Sequence, residues 1–134
     1  DLSLSQSDSI CTALQLINFW QDLSVDIERN RLYIPLADCQ REAVAPGHLL
    51  EREHSRAVRR LIARMVQWSR QIMLEGAPLA SRLPGRVGWE LRLVVQGGLL
   101  VLDKIEAIEH RTVEHRPVVA RRDLPRLAWR AWRM

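Results

Sequence analysis

The chain is poor in the features that define several large classes of protein. Its 134 residues include only two cysteines, six glycines and six prolines. Neither Cys11 nor Cys39 has a second cysteine or a histidine at metal-binding spacing, which argues against a zinc site and against a disulfide framework. No low-complexity tract, internal repeat or strand-like alternation is present. These absences predict a reduced, cytoplasmic protein with a single all-α domain over residues 1–134, and we expect Cys11 to pack in its core.

Long apolar segments are also lacking. The longest candidate, residues 91–105, falls short of the roughly 20 residues that span a bilayer. Four polar side chains interrupt it, namely Arg92, Gln96, Asp103 and Lys104. A membrane-spanning helix is therefore not expected.

Acidic residues are outnumbered by basic ones, most of which are arginine. The formal net charge is +4 and the sequence pI is about 10.0. Basic chains can bind nucleic acid, anionic lipid or phosphorylated small molecules. Because the positive charges are scattered along the predicted helices and do not gather on one recognition helix, nucleic acid is not an expected partner.

Hydrophobic side chains recur with a helical period along most of the chain, and proline or glycine separates the periodic segments. A long helix is predicted over residues 55–75, where a broad apolar face alternates with arginine. The other predicted helices cover about 7–28, 46–53, a turn within 79–83, 86–110 and a last segment within 123–134.

The first predicted helix carries an unusual polar stripe. At about 100° per residue, Gln15, Asn18, Asp22 and Asp26 fall within about 80° of one another. Two carboxylates at i and i+4, with an amide one turn earlier, offer the oxygen ligands that Mg²⁺ prefers and often shares with substrate phosphates. The alternative is an ordinary solvated face of an amphipathic helix.

A second polar stripe is predicted on the helix over residues 86–110. Arg92, Gln96, Asp103 and Glu106 again lie within about 80° of one another, as either a second wall of a cavity or a solvated face. The same helix contains Gly97-Gly98, although each glycine costs about 1 kcal/mol relative to alanine inside a helix. Close helix packing or room for a ligand tail would account for the pair.

The last segment, residues 123–134, combines two tryptophans and two leucines with three arginines. Such a basic amphipathic helix can lie on a membrane surface. It can equally be a final helix that packs on the body of the protein. The first alternative would add peripheral contact with the inner membrane face to a cytoplasmic location.

Several motifs together resemble one enzyme family. ICTALQLINFWQDLSVD (10–26) and RNRLYIP (29–35) resemble the second aspartate-rich motif of the squalene/phytoene synthases. GRVGWELRLVVQGG (85–98), DKIE (103–106) and Arg116-Pro117 are similar to the C-terminal part of the same family. Within the family, the chain is most similar to the bacterial hopanoid-pathway hydroxysqualene synthases. The resemblance implies the C-terminal half of an all-α isoprenoid synthase fold.

The resemblance implies head-to-head chemistry on farnesyl or presqualene diphosphate with Mg²⁺ as cofactor. It assigns Asn18, Asp22 and Asp26 as metal ligands, with Asp22, Asp26 and Tyr33 as catalytic residues. Gln21 stands where phytoene synthase-like members often carry arginine, which favours the hydroxysqualene branch over a phytoene or presqualene diphosphate synthase. The implied substrate-binding residues are Gln15, Gln21, Arg31, Arg92 and Gln96.

The first aspartate-rich motif of the family has no counterpart in the sequence. We therefore expect this chain alone to be inactive, to need an N-terminal half, or to self-associate through an exposed half-core. A non-catalytic helical interaction module derived from such an enzyme is the alternative function.

Overall fold

The helical periodicity of the sequence is realised as eight α-helices and one short 3-10 turn, without any strand. The computed structural model describes residues 1–134. The predicted all-α class is confirmed. The helices are α1 (Leu2–Gln21), α2 (Leu23–Glu28), α3 (Leu36–Arg41), α4 (Pro46–Leu50), α5 (Arg56–Gly76), α6 (Pro78–Arg82), α7 (Gly85–Ala107) and α8 (Leu124–Trp132), and the 3-10 turn is Arg121–Asp123.

The first predicted helix is in fact two helices. The structure begins α1 at Leu2, where the Asp1 carboxylate accepts a hydrogen bond from the Ser3 N–H at 3.0 Å. It interrupts the helix at Asp22, which has φ −91° and ψ 6°. The N–H of Asp22 nevertheless donates to Asn18 O at 2.9 Å, and the N–H of Asp26 donates to Asp22 O at 2.8 Å. The i to i−4 register therefore continues through the break.

Cys11 is exposed, so the prediction that it packs in a core was wrong. The buried face of α1 consists of Gln6, Ile10, Ala13, Ile17 and Trp20. At 100° per residue, Cys11 lies on the opposite side of the helix from the centre of that face. Proximity to Ile10 in sequence does not place it inside.

The two long later helices agree closely with the predicted ones. In α5, the Ser55 hydroxyl caps the first turn by accepting the Val58 N–H at 3.1 Å. In α7, the helix ends at Ala107, three residues before the predicted end. Glu109 and His110 adopt left-handed backbone angles, with φ of 55° and 62°, and the helix cannot continue through that conformation.

The core forms where α1, α5 and α7 meet. Trp20 of α1 is 1% exposed, and its indole N–H donates to the Ser69 hydroxyl of α5 at 2.7 Å. That hydroxyl donates in turn to Met65 O at 2.9 Å, so both polar groups are satisfied inside the core. The helices α6 and α8 pack on α7 and complete the architecture.

The two adjacent glycines of α7 have different environments. A Cβ on Gly98 would lie 2.8 Å from Met73 Cε and 3.2 Å from Ile17 Cδ1, so α7 approaches α1 and α5 closely at this point. A Cβ on Gly97 would have nothing within 4 Å. Close packing therefore explains Gly98, whereas Gly97 borders open space.

Helix α8 packs on the body with one of its faces. Ala131 is fully buried, whereas Trp129 and Trp132 remain exposed. None of the helices is both long and apolar enough to cross a membrane.

Candidate active site

The predicted metal-binding stripe lies at the end of α1 and along α2, on the side of these helices that faces solvent. Gln15 and Asn18 are exposed, whereas Asp22 and Asp26 are half-buried. Because the helical register continues through the break at Asp22, the two carboxylates stay one turn apart along the same face. The structure thus keeps this stripe open to a ligand.

The loop that follows α7 reaches the break between α1 and α2. Arg116 Nε donates to Asp22 Oδ1 at 2.7 Å, although the two residues are 94 positions apart in sequence. Beside this ion pair, Gln21 Nε2 donates to Pro117 O at 2.7 Å. These two contacts set a guanidinium directly beside one of the predicted metal ligands.

Arg52 fixes the same loop against α2. Its guanidinium donates to Val113 O at 2.8 Å, to Ser24 O at 3.0 Å and to Glu28 Oε1 at 2.9 Å. One side chain therefore joins the loop after α7 to both ends of α2. With the Gln21 contact, this gives the segment that carries Arg116 two points of attachment.

Arg31 and Tyr33 lie in the turn that follows α2. Asn30 has a left-handed backbone (φ 53°) that reverses the chain, and the Arg31 N–H donates to Asp26 O at 2.8 Å. The Tyr33 ring stacks on Phe19 of α1 with centroids 4.5 Å apart and planes inclined by 11°. Both Arg31 and Tyr33 are exposed, so the turn brings them to the same end of the molecule as the carboxylates.

The other predicted substrate-binding residues, Arg92 and Gln96, have partners elsewhere. Arg92 Nε donates to Ala80 O at 3.2 Å, which ties α7 to α6. Gln96 Oε1 accepts from Arg130 Nε of α8 at 2.8 Å. No hydrogen bond joins either residue to the first stripe.

The remaining members of the second stripe form an ion-pair network. Asp103 pairs with Arg130 of α8 at 2.7 Å and with Arg70 of α5 at 3.1 Å. Glu106 pairs with Arg70 at 2.9 Å. The second stripe therefore serves as the junction of α5, α7 and α8.

The donor set of the first stripe fits a hard divalent cation bound together with a ligand. Asn18, Asp22 and Asp26 supply an amide and two carboxylates, all oxygen donors. No three His, Cys, Asp or Glu side chains come together as a metal site, so this chain would supply only the two carboxylates and the amide. Mg²⁺ usually takes one or two carboxylates and completes its shell with waters and substrate phosphates, so two carboxylates suit it.

Sequence reasoning missed Arg116 and Arg52 as parts of this region. The motif comparison included Arg116-Pro117, but gave neither residue a role. The only signal was the position of Arg116 within a motif of the same family as Asp22, because the contact itself spans most of the chain. Arg52 gave no signal at all.

Comparisons with known proteins identify the family of this chain. A family model described as squalene/phytoene synthase matches residues 3–133. The chain belongs to this family. The match covers all of the helices described above except the first residue of α1, and it confirms the predicted family. A comparison with curated proteins gave no match.

A solved structure of this family is similar to the chain. The crystal structure of squalene synthase HpnC from Alicyclobacillus acidocaldarius is 33% identical and superposes with a TM-score of 0.79. The match covers 82% of this chain but only 42% of the HpnC chain. The chain thus spans less than half the length of that relative, and this squalene/phytoene synthase-like chain has the same helical fold over the shared part.

Proposed function

We propose that this chain supplies one wall of a prenyl diphosphate site in a squalene- or hydroxysqualene-type synthase that acts on farnesyl or presqualene diphosphate. The observation that carries the proposal is the solvent-facing pair Asp22 and Asp26 with Arg116 directly beside it. Carboxylates alone would repel a diphosphate. A guanidinium adjacent to carboxylates that suit Mg²⁺ matches the mixed charge of a metal–diphosphate complex.

The residues divide between the metal and the diphosphate. Asn18, Asp22 and Asp26 would hold Mg²⁺, which when bound neutralises the charge that builds on the departing diphosphate. Arg116 would release Asp22 to the metal and donate its N–H groups to phosphate oxygens, a bidentate geometry that guanidinium favours.

The residues around these groups would orient them. Gln21, whose amide holds Pro117 O, would fix the loop that carries Arg116. Arg31 and Tyr33, exposed at the same end, would contact diphosphate oxygens, and Gln15 would face the substrate one turn earlier. Arg92 and Gln96 would act more remotely, because they brace the helices α6, α7 and α8.

The chain alone should not turn over substrate. It supplies the second aspartate-rich motif, whereas the family reaction needs a wall on each side of the diphosphate to orient it and stabilise its charge. We expect no product from farnesyl or presqualene diphosphate with the 134-residue chain. Robust turnover of presqualene diphosphate by the pure chain would contradict this expectation.

Calorimetric titration of inorganic diphosphate and Mg²⁺ into the chain tests whether the first stripe binds them. We expect Mg²⁺-dependent binding that is lost in the double variant Asp22→Asn/Asp26→Asn. The matched control is Asp8→Asn, because Asp8 is an exposed carboxylate on the same helix with no ion pair. Binding that survives the double variant, or that falls equally in the control, would rule out the stripe as the ligand site.

Gln21 supports the hydroxysqualene branch over a phytoene or presqualene diphosphate synthase, since it lacks the cation that phytoene synthase-like members often place there. Substitution with arginine tests this point. If the position sets the grip on diphosphate, Gln21→Arg should tighten diphosphate binding. It should also free Pro117 O, which now accepts the Gln21 amide.

A non-catalytic interaction module is the second candidate function, and one observation favours it. Large apolar side chains are exposed at the start of α1 and along α5, with Leu2 63%, Leu4 66% and Leu74 52% exposed. Such surface invites association. Light scattering after size exclusion tests it: a concentration-dependent dimer that Leu2→Ser/Leu4→Ser dissolves would support this function, and a monomer at all concentrations would count against it.

A further inference from the structure

Helix α8 has an inner face that is fixed and an outer face without a partner. On the inner side, Ala131 is fully buried and Arg130 binds Gln96 and Asp103 of α7. On the outer side, Trp129 is 56% exposed and Trp132 is 67% exposed, with ring centroids 5.4 Å apart. Two adjacent indoles thus project from a helix that is already anchored.

Within residues 121–134, the exposed charged side chains are all positive. Arg121, Arg122 and Arg133 are exposed and form no ion pair, and Arg126 reaches Asp103 only at 4.0 Å. The single acidic residue of this segment, Asp123, turns inward, where its carboxylate accepts the Ala120 N–H and pairs with Lys104 at 2.9 Å. No carboxylate of the segment therefore balances the outer arginines.

We propose that the outer face of α8 binds an anionic phospholipid surface. Tryptophan prefers the boundary between water and hydrocarbon, because its ring is apolar while its N–H stays hydrated. Arginines beside such a ring pair would lie level with lipid phosphates and anionic headgroups.

The exposed surface of α5 differs from that of α8 in the sign of the charges beside its tryptophan. There Trp68 is 42% exposed, but Arg64 and Glu75 line the same groove and mix both signs of charge. An anionic membrane would attract α8 and not α5. The anchoring contacts Arg130–Asp103 and Lys104–Asp123 would remain in place, so docking needs no rearrangement of α8. Lipid binding by α8 would not require the diphosphate site near Asp22.

Vesicle flotation with the full chain tests the proposal. One set of vesicles contains phosphatidylcholine alone, and the other contains about one third phosphatidylglycerol. We expect binding only to the anionic vesicles, and weaker binding at high salt because surface charge is screened. The Trp129→Ala/Trp132→Ala and Arg122→Gln/Arg133→Gln variants should each lower the partition coefficient about tenfold or more.

The matched controls come from α5. Trp68→Ala removes an exposed indole, and Arg56→Gln/Arg59→Gln removes two exposed guanidiniums that form no ion pair. Both control variants should bind like the parent chain. Circular dichroism checks that each variant folds. If the double tryptophan variant does not fold, the arginine pair and quenching of the parent chain's tryptophan emission by brominated lipid decide the outcome.

Several results would overturn the proposal. Equal binding to neutral and anionic vesicles, no binding to either, or unchanged binding by the double tryptophan variant would each do so. A dimer that the double tryptophan variant dissolves, without any effect of lipid, would assign this face to a second copy of the chain. Binding to single-stranded DNA in preference to anionic vesicles would assign it to nucleic acid.

Discussion

Two polar stripes, each spanning about 80° of a helix surface, have different surroundings in this structure. The stripe on α1 and α2 faces solvent, and its one ion pair, Asp22–Arg116, joins partly exposed side chains. The stripe on α7 is engaged by arginines from α5 and α8, and Asp103 alone pairs with Arg70 and Arg130. Spacing therefore defines a face, but only the element opposite that face decides whether it binds a ligand or another helix.

The ion pairs between the second stripe and α5 form only because α7 lies close to α5. Gly98 permits this approach, because its missing side chain leaves room for Met73 and Ile17. Arg70 of α5 can then reach Glu106 at 2.9 Å. The open stripe on α1 and α2 has no comparable dependence on close helix packing.

The largest effect is expected from Gly98→Leu. The new side chain would push α7 away from α1 and α5 and loosen the arginine network, at a cost of about 3 kcal/mol in the free energy of unfolding. Urea denaturation followed by circular dichroism measures this. The neighbouring Gly97→Ala is the control, because its Cβ meets nothing within 4 Å and alanine should stabilise the helix by about 0.5–1 kcal/mol. Equal effects at the two positions would refute the packing argument.

The second prediction compares the two stripes directly. Asp103→Asn should lower the free energy of unfolding by about 1–2 kcal/mol, because Arg70 and Arg130 would lose a shared, partly buried anion. The matched Asp22→Asn should change stability by less than about 0.5 kcal/mol, since its ion pair is exposed and Asp26 repels it. Equal changes in the free energy of unfolding would mean that the two stripes do not differ in how much they stabilise the fold.

Much of the helical framework could be predicted from the sequence, and so could the face that carries Asp22 and Asp26. Periodicity and caps are local, and they placed α5 and α7 to within a few residues. The break at Asp22 was missed because no proline or glycine marks it, and it coincides with tertiary contacts to residues 116–117. The engagement of Gln96 by Arg130 was missed for the same reason, since a sequence does not reveal which helices lie opposite each other.

A smaller effect on stability is expected at Arg116. Removing an exposed ion pair in Arg116→Gln should change the free energy of unfolding by no more than about 0.5 kcal/mol. The same substitution should weaken binding of Mg²⁺ and diphosphate about tenfold, because a charge-assisted contact to phosphate is lost. Thermal denaturation and calorimetry measure the two quantities. A stability loss as large as that of Asp103→Asn would make Arg116 a structural residue and remove it from the site.

The smallest expected effect is on the free energy of unfolding at low pH, near the contact between α7 and α8. The Ala120 N–H, and then Lys104, hold the pKa of the Asp123 carboxyl below its ordinary value. Because the folded-state pKa is the lower one, this stabilisation is fully present above the ordinary Asp pKa of about 3.9 and is lost as the pH falls through the folded value. Urea midpoints should therefore not respond to this group between neutral pH and about pH 5. In the Asp123→Asn variant, the urea midpoint should fall less steeply as the pH drops below about 4 than it does in the parent chain. In the Asp8→Asn variant, the fall should be as steep as in the parent chain. If the Asp123→Asn variant loses stability at low pH as steeply as the parent chain, the start of α8 does not depend on this carboxylate. The contacts of Asp103 and Gln96 would then hold α8 on α7.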